Sequence, residues 1–263
     1  MKKIFLLTLS VILFSCSDNK SNYPWSELSY NEVLSLNTDK IIFLDFYSDN
    51  WGACKRLEVE TLNDSKIIDF TKKYMIPLKL DAWYDSTGQK LFAQFNGYAI
   101  PLLVFLNGKG EELDRVVGYR NVDEFLLILN NVLNNQDTYM SLSKKFKEGN
   151  RSVDIIDKLS IKSEERLDNK LSTNLYNIII DRKSEFDEAS LQRAIYFFAK
   201  QELKSDNPSK MNIYISENLE SEKIGPAFMD LIRFYSSKKD TKKEVQTYEN
   251  MISSILVSKA IPL

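Results

Sequence analysis

The segment Lys40 to Tyr47, K-I-I-F-L-D-F-Y, constrains the fold of this chain more than any other stretch. A short apolar run with β-branched and aromatic side chains reads as a buried central strand. The run passes directly into S-D-N-W-G-A-C-K, where a helix is expected to start near Trp51 and carry Cys54 in its first turn. Asp45, near the end of the strand, lies nine residues before Cys54.

The flanking segments alternate helix and strand. Ser26 to Leu36 reads as an amphipathic opening helix with Leu28, Val33, Leu34 and Leu36 on one face. Asp64 is placed to cap a helix that turns Ile67, Ile68 and Phe70 inward. Met75 to Leu80 follows as a strand and Ser86 to Phe95 as a helix. Pro101 to Leu106 and Glu112 to Val117 flank N-G-K-G, a hairpin signal because Asn and Gly accept the positive φ of tight turns. Asn121 then caps a closing helix, D-E-F-L-L-I-L-N-N-V-L.

Phe46 to Lys55, F-Y-S-D-N-W-G-A-C-K, resembles the active-site segment of the thioredoxin family, F-W-A-x-W-C-G-P-C-K, matching it at Phe46, Gly52, Cys54 and Lys55. Trp51 stands where the attacking cysteine belongs. Residues 96–106, N-G-Y-A-I-P-L-L-V-F-L, are similar to the family's cis-proline segment, which the resemblance places at Pro101, and Gly118 and Tyr119 close the next strand in the family's manner. Cys54 to Asn63 is most similar to the periplasmic thioredoxin-like branch. The resemblance covers residues 25–134 and implies an α/β thioredoxin-like fold. It also implies that Asp45 handles a proton for Cys54 and that Trp51, Gly52, Ile100 and Pro101 border a peptide groove.

The first residues bear on compartment. Lys2 and Lys3 precede the apolar run Ile4 to Phe14, which is short for a membrane span and reads as a signal peptide over residues 1–15. Leu13, Ser15 and Cys16 resemble a bacterial lipobox, which implies acylation of Cys16 and a lipid anchor in the cell envelope, facing the periplasm or the cell surface. The alternatives are an ordinary signal peptide cut nearby or an uncleaved anchor. Residues 16–24 read as a tether.

Composition narrows the chemistry. The 263 residues contain 2 cysteines and no histidine. If Cys16 carries lipid, Cys54 is the only thiol, so a disulfide must join another molecule. Histidine-dependent triads are excluded, no metal site is expected, and Trp25, Tyr47, Trp83 and Tyr84 read as packing residues rather than a cofactor box, so no cofactor is expected. With 35 basic and 37 acidic residues the net charge is -2, which gives no reason to expect nucleic acid.

Beyond N-N-Q-D-T at 134–138, apolar residues recur at helical spacing through Leu142, Phe146, Ile155, Ile156, Leu159, Leu171, Leu175, Tyr176, Ile178 and Ile179. Further helices are expected at 188–203, 209–219, 224–237 and 240–257. Residues 135–263 thus read as an all-α domain, either an irregular bundle or a short tetratricopeptide-like array.

Each candidate residue has two readings. Cys54 is either a reactive thiol, favoured by the helix dipole and Lys55, or an inert buried one. Asp45 is either its proton acceptor or a relic of the fold. Trp51 is either an exposed anchor for a partner or a cap over the space of the lost thiol pair. Three functions follow: a non-enzymatic module binding an envelope protein or peptide, a monothiol thiol-disulfide oxidoreductase using Cys54, or an interaction protein acting through its helices. The missing thiol favours the first, since one thiol cannot both attack and resolve within a chain.

Overall fold

The computed structural model describes residues 22–259. Residues 1–21, on which the expected signal peptide, Cys16 and most of the expected tether fall, and residues 260–263 lie outside the described residues. Strands β1 (Ile41–Tyr47), β2 (Met75–Asp81), β3 (Leu102–Leu106) and β4 (Glu112–Val117) form one sheet in the order β2-β1-β3-β4. β1 runs parallel to β2 and antiparallel to β3, which pairs antiparallel with β4. The central strand read from the sequence is therefore central, and Ile41 to Phe46 are buried.

Strand alternation sends neighbouring side chains to opposite faces. Ile41 and Phe43 join Leu103 and Phe105 in one core, closed by Ile67 of α3 (Ser65–Tyr74) and by Phe125, Leu129 and Val132 of α5 (Val122–Leu133). Phe43 stacks on Phe105 with ring centroids 5.2 Å apart. Ile42, Leu44 and Phe46 join Leu102, Val104 and Leu106 in the other core, closed by Val33 of α1 (Tyr30–Ser35) and Leu91 of α4 (Ser86–Gln94). Each such side chain contributes about 1.5–3 kcal/mol by leaving water, so β1 anchors both layers.

Most local signals act as expected. Asp64 and Asp85 cap α3 and α4, and Asn121 with Glu124 forms a capping box on α5. The opening helix is shorter than its apolar spacing suggests. Ser29 and Glu32 form a capping box that starts α1 at Tyr30, which leaves Leu28 and Leu36 exposed. In the β3–β4 turn the positive φ falls on Gly110 rather than Asn107, whose side chain instead accepts from the Lys109 and Glu111 amides at 3.0 Å. Gly108 is required there by contact, because a Cβ would lie 1.6 Å from the Thr38 carbonyl oxygen.

The C-terminal region is helical: α6 (Tyr139–Lys147), α7 (Val153–Glu165), α8 (Asn169–Asp181), α9 (Glu188–Lys204), α10 (Ser209–Glu217), α11 (Ile224–Ser237) and α12 (Thr241–Lys259). Each packs on the next, and α9 also meets α11. Two apolar clusters fill this region, one around Leu142, Ile156, Leu175 and Phe197, the other around Met211, Tyr214 and Leu231.

α6 and α7 also pack on the edge strand β4, across a charged seam that the sequence reading did not foresee. Buried Asp114 accepts from Lys162 and lies 3.7 Å from Arg166. Arg166 donates to Glu112 at 2.6 Å and stacks 3.9 Å over the Tyr139 ring. Glu112 also accepts from Arg115, which reaches the Phe95 carbonyl at 2.8 Å. Arg120 completes the seam 3.4 Å from Glu165.

Removing one partner of such a buried pair strands the others. Arg166→Leu is expected to destabilise the protein by about 3 kcal/mol in urea denaturation, because Glu112 and Asp114 lose a cation in a desolvated place. Lys144→Ala, which removes an exposed pair with Glu148, should change stability by less than about 1 kcal/mol. Equal effects would show that the seam holds nothing together.

Candidate functional site

The turn out of β1 sets the site. Trp51 has extended backbone and caps α2 (Gly52–Leu57), which widens into a π-helical turn over Glu58–Leu62. The Trp51 carbonyl accepts from the amides of Cys54 at 3.0 Å and Lys55 at 3.2 Å, which fixes Cys54 in the first turn. Cys54 faces inward, 6% exposed, in the cluster with Phe46, Leu91, Phe95 and Ile100. Its thiol is pushed up to about 11, first by burial. A backbone hydrogen bond at Ser48 and the charge of Lys79 act the other way, while Asp45 and Asp49 add to the rise.

The expected role of Lys55 is corrected by this geometry. Neighbouring helix residues point about 100° apart, so an inward Cys54 leaves Lys55 in solvent. Lys79 supplies the nearby positive charge instead. It stands opposite Asp45 in the β1–β2 register, its Nζ lies 3.0 Å from Glu58, and it sits 4.3 Å over the Tyr47 ring. Asp45 is 4% exposed, its Oδ1 has no hydrogen-bond partner, and burial pushes its pKa up to about 7 against the opposing charge of Lys79. Sequence reading missed Lys79 and Glu58. The signals were there: one lysine in the apolar strand M-I-P-L-K-L-D, and an acid four residues after Cys54 on the same helix face.

The Ile100–Pro101 peptide is cis, and the Pro101 carbonyl accepts from the Gly118 amide at 2.8 Å. Gly118 has φ +86°, a conformation glycine adopts without strain. Ile100 of the cis-proline loop and Cys54 at the start of α2 belong to one apolar cluster. Gly52 has open space around its Cα. Trp51 is 52% exposed, so its ring stands partly in solvent. Trp25 and Tyr47 pack against the cores as expected, but Trp83 and Tyr84 do not. Asp81 Oδ1 accepts from both their amides at 2.8 and 2.9 Å, and their side chains stand in solvent, 53% and 74% exposed.

Residues 32–133 match the family model of the thioredoxin-like domain. Thioredoxin-2, mitochondrial, of Schizosaccharomyces pombe is 38% identical over 92 residues, covering 34% of this chain and 59% of that protein. The thiol:disulfide interchange protein DsbD of Pasteurella multocida is 28% identical over 98 residues, covering 36% of this chain and 17% of that protein. Among solved structures, a DsbH oxidoreductase aligns with TM-score 0.39 at 20% identity, covering 51% of this chain and 95% of that one. A Bacteroides thetaiotaomicron protein solved in solution aligns with TM-score 0.38 at 30% identity, covering 42% and 93%. Residues 32–133 thus carry a thioredoxin-like domain. It spans less than two thirds of the curated relatives it matches, and the likeness ends before the helical region.

The raised Asp45 has a measurable consequence. An aspartate titrates near 4 in an unfolded chain, so between about pH 4 and 7 the folded state holds a proton that the unfolded state lacks. The associated stability is full below that window and lost as pH rises through 7. Urea denaturation is expected to show the protein losing on the order of 2–4 kcal/mol between pH 5 and pH 8, and Asp45→Asn losing less. Glu165, also pushed up to about 7 by burial, acts in the same direction, and Glu165→Gln isolates its share. An unchanged slope in Asp45→Asn would refute the assignment.

Proposed function

We propose that this chain is a protein-binding or assembly module of the bacterial cell envelope, anchored by lipid on Cys16, whose thioredoxin-like domain does not turn over disulfides. The observation that carries the reading is the state of Cys54. The chain has no second thiol within the site to resolve a mixed disulfide, and Cys54 itself is buried with its pKa near 11. Trp51 stands in the place of the attacking cysteine and offers solvent an aromatic surface instead. Trp51, Gly52, Ile100 and Pro101 then serve as a groove for an extended partner segment. In this reading the helical region makes a second contact, and its α7 end comes near enough to the cis-proline loop for the charges of Glu164 and Glu165 to act on Tyr98.

One observation favours a second reading, monothiol exchange. The charge of Asp45 acts on the Cys54 thiol, and its Oδ1 has no hydrogen-bond partner. In that reaction Asp45 takes the thiol proton and the Cys54 thiolate attacks a partner's disulfide. One sulfur leaves as a thiolate that takes up a proton. An external thiolate then attacks the mixed disulfide and releases Cys54.

An insulin-reduction assay with a dithiol reductant separates the two readings. The protein is expected to give only the uncatalysed rate, and iodoacetamide should alkylate Cys54 at pH 8 about 100-fold more slowly than a free cysteine, the ratio of their thiolate fractions. Turnover that disappears in Cys54→Ser would overturn the binding reading and install the monothiol one.

The anchor is tested separately by intact mass. The mature protein should begin at Cys16 and carry acyl chains, and Cys16→Ser should abolish the modification. An unmodified N-terminus at another residue would refute lipidation.

A further inference from the structure

Two loops leave the same end of the sheet side by side, one after β1 and one after β2. The Ala82 amide donates to the Tyr47 carbonyl at 2.9 Å, and Asn50 Nδ2 lies 3.4 Å from the Tyr84 hydroxyl. Between them these loops expose Trp51, Trp83 and Tyr84, none of which belongs to an apolar cluster. Large aromatic side chains gathered in solvent mark a contact surface rather than a core.

The net charge around them is negative. Asp49 makes no ion pair among the described residues, and Asp81 uses Oδ1 on the Trp83 and Tyr84 amides. Asp49, Asp81, Asp45 and Glu58 all act on the Tyr47 phenol, which is pushed up to about 12, mainly by burial. Two lysines oppose these four carboxylates. Lys79 is already paired with Glu58, and Lys55 points to solvent. Behind the rim, Asp45 Oδ1 is buried without a hydrogen-bond partner. Aromatic faces beside carboxylates suit a cation, whose stem lies on the rings while its head meets the acids. An anionic segment would be repelled here, and a wholly apolar one would cover Asp49 and Asp81 without pairing them.

We propose that the segment held at this groove is cationic: an extended peptide of a partner protein that lays a lysine or arginine side chain on Trp51, Trp83 and Tyr84 against Asp49 and Asp81. This rests on the binding reading above and names the chemistry of its partner.

The test uses the full chain and two fluorescently labelled, end-blocked heptapeptides, one alternating leucine with lysine, the other leucine with glutamate. In fluorescence anisotropy the lysine peptide is expected to bind at least about tenfold more tightly, with affinity falling as salt rises. Trp83→Ala should weaken it about fivefold. So should the double variant Asp49→Asn with Asp81→Asn, which keeps the acceptor for the two amides but removes both charges. Ile213→Ala, exposed on α10, should leave binding unchanged. Circular dichroism of each variant confirms that it is folded. Equal affinity for the two peptides, no binding of either, or binding that ignores the Trp83 and Asp substitutions overturns the proposal. So does sedimentation showing that a second copy of this chain covers the rim. The absence of disulfide turnover is decided by the insulin assay alone, so that reading can stand where this one falls.

Discussion

β1 is covered on both faces, and most of the N-terminal architecture follows from that burial. Its alternating side chains are shared between two cores, one closed by α3 and α5, the other by α1 and α4. A polar side chain in such a strand is costly unless it is paired or neutralised. Asp45 sits in that position, one strand away from Lys79, and its pKa is pushed up to about 7 because burial outweighs the lysine's charge. Lys79 in turn holds Glu58, one turn beyond Cys54, so the floor of the site is a single coupled charge group.

That floor works against the effect of helix position on the Cys54 thiol. A thiol in the first turn of a helix benefits from the macrodipole, typically by about 0.3–1 kcal/mol. Burial of the sulfur in the cluster that holds Phe46, Leu91, Phe95 and Ile100 costs the thiolate more, and the charges of Asp45 and Asp49 add to the rise. The larger effect wins. What the site exposes is aromatic and charged, with Trp51 and Lys55 in solvent and Cys54 buried.

The helical region is joined to the sheet through charge as well as packing. β4 carries Glu112, Asp114 and Arg115, an odd set for a strand whose residues are mostly buried. Lys162 and Arg166 from α7 and its end neutralise the acids. A buried network of this kind contributes little net stability but penalises misdocking, because any other arrangement leaves a charge unpaired. It also brings Glu164 and Glu165 near enough to Tyr98 of the cis-proline loop for their charges to act on its phenol.

The sequence by itself determined the elements. Alternation in K-I-I-F-L-D-F-Y, caps at Asp64 and Asn121, and the N-G-K-G turn are local rules, and the strands and helices fall where those rules put them, with the α1 capping box overriding a looser apolar pattern. The W-G-A-C segment and Pro101 were legible as a resemblance because their spacing is fixed by short-range geometry. Only the tertiary structure decided exposure and charge partners. Lys79 faces Asp45 through β-sheet register, Lys162 and Arg166 meet β4 across about fifty residues of chain, and Trp83 and Tyr84 stand in solvent because Asp81 pins their backbone. Such contacts depend on which surfaces meet once the chain is closed, and no periodicity along the chain encodes them.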